Sequence, residues 1–83
     1  MKVAIMQIGK NGFQDNNYTA LKSTLMGNDQ VRLKFFKTSG VRGELENLVK
    51  ELKIKLETDI KRKIIIKKIG FTLVINKLRK RLL

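Results

Sequence analysis

Hydrophobic and polar positions recur along this chain with two periods, and each period predicts one kind of element. Residues 3–8 form a short, almost wholly apolar and β-prone run, which predicts a central strand covered on both faces. Residues 31–35 alternate strictly, so we expect a strand with one apolar face and one polar face that carries Arg32 and Lys34. Residues 63–69 and 71–75 are two further β-prone runs with Gly70 between them, which predicts a hairpin.

Two other segments show helical spacing. Between residues 15 and 26 the periodic residues are Tyr18, Leu21 and Leu25. Asp15 or Asn16 is available as N-cap of this helix, and Gly27 as its C-terminal stop. A second helix has one apolar stripe about 100° wide, formed by Val41, Leu45, Leu48, Val49, Leu52 and Leu56. Ile54 lies off this stripe.

The predicted element order is therefore β-α-β-α-β-β. This order predicts an α/β two-layer sandwich, in which two helices cover one face of a four-stranded mixed sheet. The other face stays partly open and carries basic side chains. No proline, repeat or linker interrupts the chain, so we expect one domain over residues 1–76. The basic end, residues 77–83, either extends the last strand or trails as a tail.

The amount and distribution of charge along the chain indicate what kind of partner the protein binds. The chain has 83 residues, with 19 Lys and Arg against 7 Asp and Glu, and its net charge is +12. Residues 1–40 contribute +4, residues 41–59 contribute −1, and residues 60–83 contribute +9 without a single carboxylate. A small domain with so much self-repulsion usually has a polyanionic partner. We therefore expect nucleic acid to bind chiefly at the C-terminal third.

The residues that are missing exclude several function classes. The chain has no His and no Cys, which argues against thiolate or imidazole metal sites and against the usual acid–base catalysts. Five of the seven carboxylates fall within residues 44–59, where helix solvation explains them. We therefore expect that the protein is not an enzyme and that it binds no cofactor, no metal and no small-molecule substrate. The apolar stretch 64–75 is too short to cross a membrane and contains Lys67 and Lys68, so a cytoplasmic location is expected.

A Gly-x-x-Gly loop, Gly9-Lys10-Asn11-Gly12, follows the first strand and leads into the first helix. Glycines allow a backbone to approach a phosphate chain closely, and Lys10 adds a full positive charge. KH modules clamp nucleotides with this geometry. A tight strand-to-helix turn explains the tetrapeptide equally well when it is taken alone. Among the aromatic residues, Phe13 and Phe36 could stack on bases, although core packing is favoured for both.

Three segments together resemble a known family. Ile8-Gly9-Lys10-Asn11-Gly12 is similar to the signature of the YhbY-like family, also called the CRM (chloroplast RNA splicing and ribosome maturation) domain. Residues 30–35 resemble the second strand of that family, and residues 69–75 resemble its closing hairpin. The resemblance covers residues 3–76 and suggests a short archaeal-type member. It implies an RNA-binding domain that associates with the large ribosomal subunit or its precursors, with Gly9–Gly12 on the RNA backbone.

The expected partner is thus RNA, most simply large-subunit ribosomal RNA, with neighbouring ribosomal proteins as further contacts and no membrane. The candidate RNA-binding residues are Gly9, Lys10, Asn11, Gly12, Lys22, Arg32, Lys34, Lys61, Arg62, Lys63, Lys67, Lys68, Lys77, Arg79, Lys80 and Arg81. The alternative is an archaeal chromatin protein resembling Alba, which shares the β-α-β-α-β-β order. Alba-like chains have a long basic arm between the last two strands, whereas here only Gly70 separates them.

Overall fold

Two helices and four strands follow one another in the predicted order. The computed structural model describes residues 2–9, 12–35 and 44–81. Its elements are β1 (Val3–Ile8), α1 (Asp15–Met26), β2 (Gln30–Phe35), α2 (Glu44–Ile60), β3 (Arg62–Ile69) and β4 (Thr72–Arg81). β4 continues through Arg81, so the boundary predicted after residue 76 falls inside a strand. Phe36 and Val41 lie outside the described residues.

The four strands form one mixed sheet in the order β1-β2-β4-β3. β1 runs parallel to β2, and β4 lies antiparallel to both β2 and β3. The prediction that β1 is a central, doubly covered strand is therefore wrong. β1 is an edge strand, and Val3 and Ile5 are 43% and 59% exposed. An apolar run favours burial, but both helices pack on one face of the sheet and leave the other face of β1 open.

The core lies between the sheet and the two helices. Its fully buried residues come from every element: Ile8, Leu21, Leu25, Val31, Leu33, Leu45, Leu52, Leu56, Ile64, Leu73 and Ile75. The predicted alternation of β2 is confirmed, because Val31, Leu33 and Phe35 point into this core while Arg32 and Lys34 are exposed. The predicted stripe of α2 is confirmed for its described members, which are buried or packed against the core.

The ends of α1 and the hairpin turn refine the predictions. The N-cap of α1 is Gln14, not Asp15 or Asn16, and the Gln14 N–H donates to Asn17 Oδ1 at 2.9 Å. Gly27 ends the helix as predicted. Gly70 turns the hairpin with a φ of +59°, a conformation in which a side chain is strained. Phe71 belongs to this turn and not to β4.

Three hydrogen bonds define the C-terminal end of α2: one closes its last turn, and two attach it to the rest of the molecule. The Lys61 N–H donates to the Glu57 carbonyl at 3.0 Å, with Lys61 itself at a φ of +59°. The Ile64 N–H donates to Glu57 Oε2 at 3.0 Å, and the Tyr18 hydroxyl donates to Asp59 Oδ2 at 2.5 Å. Helix α2 is thereby fixed both to β3 and to α1.

Candidate nucleic-acid interface

The face of the sheet that points away from the helices is an open surface, here called the outer face. Strand register places twelve outward side chains in three rows across it. The rows are Val3, Gln30, Asn76 and Ile65; Ile5, Arg32, Val74 and Lys67; and Gln7, Lys34, Thr72 and Ile69. Three of these side chains are cationic and none is a carboxylate, so a ligand on this face meets positive charge alone.

Hydrogen bonds hold part of the outer face in place. The Arg32 Nε donates to Gln30 Oε1 at 3.0 Å, and Gln30 Nε2 donates to Asn76 Oδ1 at 2.7 Å. The first bond runs along β2, and the second joins β2 to β4. Because Arg32 is bound through its Nε, the other nitrogens of the guanidinium can still donate to a ligand.

Charge is segregated between the two layers of the molecule. The four strands contain ten Lys and Arg residues and no Asp or Glu. Helix α2 contains five carboxylates and three lysines, and α1 contains one residue of each sign. The positive field therefore originates in the sheet layer, whereas the helices carry most of the acidic residues.

The glycine loop closes as a tight turn. The Gly12 N–H donates to the Gly9 carbonyl at 3.1 Å, and Gly12 has a φ of +80°. A Cβ atom added at Gly9 would meet nothing within 4 Å, so the backbone there is open to close approach. The Gly12 N–H is already bonded inside the turn, and Asp15 places a carboxylate in the first turn of α1. Lys10 and Asn11 lie outside the described residues.

The loop and the basic end of the chain lie at opposite ends of the sheet. Gly9 follows β1, beside the row that contains Lys34 and Ile69. Lys61 precedes β3, and Arg62 pairs with Arg81 at the far end of the β3–β4 ladder. The outer face, with Arg32, Lys34 and Lys67, extends between these two ends. A single polyanion lying along it could contact both.

The structure does not bring every predicted site residue to this surface. Lys22 lies on α1, in the helix layer. Lys68 lines a groove against α2 together with Glu46, Val49, Lys50 and Ile66. Lys77 Nζ donates to the Met26 carbonyl at 3.1 Å, where it caps the C-terminal end of α1. Lys63 is exposed at the start of β3, and Arg79 and Lys80 are placed only as positions along β4.

Sequence analysis missed the apolar half of the outer face. Ile5, Ile65 and Ile69 are exposed there, with Val3 and Val74 as outward neighbours. A signal was available, since two helices cover only one face of a sheet and leave every second residue of its strands outside. The aromatic residues that the structure describes give no such surface, because Phe13, Tyr18, Phe35 and Phe71 are all part of the core or packed against it.

The described part of the chain contains neither a cluster of metal-ligating side chains nor a membrane-spanning helix. Among the described residues no group of three or more Asp and Glu side chains could hold a metal ion. Within residues 2–9, 12–35 and 44–81 no helix is both long enough and apolar enough to cross a membrane. Comparison with protein-family models and with curated proteins finds no match to this chain.

Proposed function

We propose that this protein binds RNA, as a ribosomal-RNA-binding protein of the large ribosomal subunit, either a structural component or an assembly factor. The observation that carries the proposal is the segregation of charge, with ten cations and no carboxylate in the strands. The RNA backbone is the partner, gripped by the Gly9–Gly12 loop and by the basic residues of the sheet layer. The protein would act in the cytoplasm, with neighbouring ribosomal proteins as further contacts.

Electrostatics supports a partner with many phosphates. Arg32, Lys34 and Lys67 lie on one face that no carboxylate neutralises. Each phosphate that such a face neutralises releases counterions, so log K should fall with log salt by about 0.7 for each contact with a single strand. Binding through phosphates requires few base-specific contacts, so the affinity should depend more on salt than on the sequence of the RNA.

Sedimentation of native lysate through a sucrose gradient at low and high salt tests the proposal. Persistence on mature large subunits after a high-salt wash would make the protein a structural component of the subunit. Presence only on lighter precursor particles, or release by salt, would make it an assembly factor. Absence from every ribosomal fraction, with recovery on DNA, would overturn the proposal in favour of a chromatin protein.

A matched pair of glycine variants tests the loop. Gly9→Glu places bulk and negative charge where the structure leaves open space. Gly9 does not have a positive φ, so a side chain there does not strain the backbone. Gly27→Glu makes the same change of charge at the end of α1, where an added Cβ would meet only the Thr24 carbonyl, at 3.9 Å. We expect Gly9→Glu to lower the affinity for ribosomal RNA about tenfold more than Gly27→Glu does. Equal affinities of the two variants would remove the loop from the interface.

A further inference from the structure

The outer face presents aliphatic side chains as well as cations, and phosphate binding does not use them. Ile5 is 59% exposed and Ile69 is 64% exposed, although each lies on a strand whose opposite face is covered by a helix. Exposed apolar positions grouped on one surface indicate a binding site more often than chance exposure. A ligand that uses this whole face must therefore offer apolar surface and negative charge together.

Aliphatic and cationic positions alternate in the middle row of the face and along β3. Arg32 lies between Ile5 and Val74 in the middle row, and Lys67 lies between Ile65 and Ile69 along β3. Neighbouring strands are about 4.8 Å apart, and successive outward residues of one strand about 6.7 Å apart. Four of the five aliphatic side chains therefore have a cation as a direct neighbour on the face. The exception is Val3, which lies beside Gln30 and Ile5.

We infer that the outer face binds single-stranded RNA, with unpaired bases packed on the aliphatic side chains and phosphates on Arg32, Lys34 and Lys67. A duplex keeps the faces of its bases stacked inside and presents phosphates and sugars, so the isoleucines would gain nothing from it. A single strand exposes both base faces and phosphates. The inference rests on the proposed function, because it names which form of RNA the basic sheet layer recognises.

A second copy of this chain is a poorer occupant of the same face. Two outer faces brought together would oppose three cations with three cations, and no carboxylate of either face would compensate them. Each protein also has a net charge of +12, which opposes association in general. Charge complementarity therefore favours a polyanion.

Methyl NMR spectra of the whole protein, titrated with a short oligouridylate, test the inference directly. We expect the methyl signals of Ile5 and Ile69 to shift as the single strand binds. The matched control is Ile54, which is 67% exposed on α2, in the helix layer, and whose signal should stay in place. The duplex that this oligouridylate forms with oligoadenylate should bind more weakly and shift the signals of Ile5 and Ile69 less than the single strand does.

Affinity measurements on a matched pair of variants complete the test. Ile69→Thr keeps a β-branched side chain and removes apolar surface from the outer face, and Ile54→Thr does the same on α2. We expect Ile69→Thr to weaken binding of oligouridylate about threefold to fivefold, with no change in the salt slope, and Ile54→Thr to be neutral. Adding Ile5→Thr to Ile69→Thr should weaken binding by a similar factor again.

The outcomes separate the two proposals. Equal binding of duplex and single strand, with neutral isoleucine variants, would overturn base packing on the outer face and leave the phosphate interface standing. Failure of the wild-type protein to bind any RNA would overturn the proposed function and this inference together. Shifts of Ile5 and Ile69 with protein concentration alone would identify a second copy as the occupant and overturn the inference.

Discussion

At the scale of single residues, Lys61 holds an unfavourable backbone conformation at the end of α2. It has a φ of +59°, and its N–H caps the helix by donating to the Glu57 carbonyl. A non-glycine residue in this left-handed region costs about 1–2 kcal/mol, and glycine removes most of that cost. We expect Lys61→Gly to raise the free energy of unfolding by about 1 kcal/mol, measured by urea denaturation.

A neighbouring lysine provides the control for Lys61→Gly. Lys63→Gly removes the same charge from β3 at a residue without a positive φ. Glycine inside a strand is unfavourable by about 0.5–1 kcal/mol, so this variant should be less stable than the wild type. If both variants lowered the free energy of unfolding, the strain assigned to Lys61 would be wrong.

Glu57 accepts a hydrogen bond from the backbone of the edge strand β3. The β3–β4 register shifts between Arg62 and Ile64, and Ile64 is fully buried while its N–H donates to Glu57 Oε2 at 3.0 Å. Removing an acceptor from a buried donor costs about 1–3 kcal/mol. Glu57→Ala should lower the free energy of unfolding by this amount, measured by thermal or urea denaturation.

Two further variants decide whether that loss comes from the hydrogen bond. Glu57→Gln keeps an oxygen acceptor and should recover most of the stability. Glu51→Ala removes an exposed carboxylate from the same helix and should change the free energy of unfolding by less than about 0.5 kcal/mol. A loss for Glu51→Ala as large as that for Glu57→Ala would point to a general effect of charge on α2.

At the scale of elements, one-sided burial determines which parts of the fold the sequence predicts well. Strand β2 and helix α2 each bury one face, so their apolar residues repeat with the period of the element and both were predicted. β1 is apolar on both faces, and hydrophobicity alone does not reveal whether a neighbour covers each face. The caps of α1 were harder to predict, because Gln14, Asp15 and Asn16 are adjacent polar residues and only the backbone selects among them.

The candidate site was predictable to a similar degree. Alternation in β2 placed Arg32 and Lys34 on the open face, and the structure confirms that placement. Lys67 and Lys68 are adjacent, so they point to opposite faces of the sheet. Which of the two lies on the outer face depends on the strand register, and the composition of the segment does not reveal that register. The bond from Lys77 to the end of α1 joins residues 51 positions apart, so no pattern in the sequence indicated this helix-capping contact.

Tyr18 joins the two helices and makes their attachment sensitive to alkaline pH. Burial first, and then the hydrogen bond and the negative charge of Asp59, raise the pKa of Tyr18 above its ordinary value. Tyrosine in the unfolded chain ionises near pH 10, while the folded state keeps its proton. The folded state therefore binds more protons there, and the stability that Tyr18 contributes should decline as the pH rises above about 10.

Comparison with Tyr18→Phe isolates this effect. The variant keeps the ring but loses the bond to Asp59, so we expect it to be about 1 kcal/mol less stable near neutral pH. The difference between wild type and variant should shrink above about pH 10, because Tyr18 of the unfolded chain then ionises while Tyr18 of the folded protein keeps its proton. Tyr18 is the one tyrosine in the chain, so tyrosinate absorbance reports its ionisation directly. A difference that grew with pH would contradict the assigned direction of the pKa shift.

At the scale of the whole molecule, the positive charge that favours an RNA partner should lower the folding stability of the protein when no RNA is bound. The sheet layer concentrates cations without carboxylates, and like charges within a Debye length of about 10 Å repel one another. Helix α2 is the opposite case, since its lysines alternate with carboxylates such as Glu46 and Glu51. Removing lysines from the two layers should therefore change stability in opposite directions.

The double variant Lys34→Gln/Lys67→Gln tests this balance against Lys50→Gln/Lys53→Gln, which removes the same charge from α2. At low salt we expect the outer-face variant to gain about 0.5 kcal/mol in free energy of unfolding and the α2 variant to lose a similar amount. Urea is the suitable denaturant because it is uncharged and does not screen these interactions. Added salt should reduce both differences towards zero.

The outer-face variant should also bind RNA with a smaller salt slope, while the α2 variant keeps the wild-type slope. Loss of stability in the outer-face variant at low salt would mean that Lys34 and Lys67 stabilise the fold, and that their position on the open face reflects folding and not a partner.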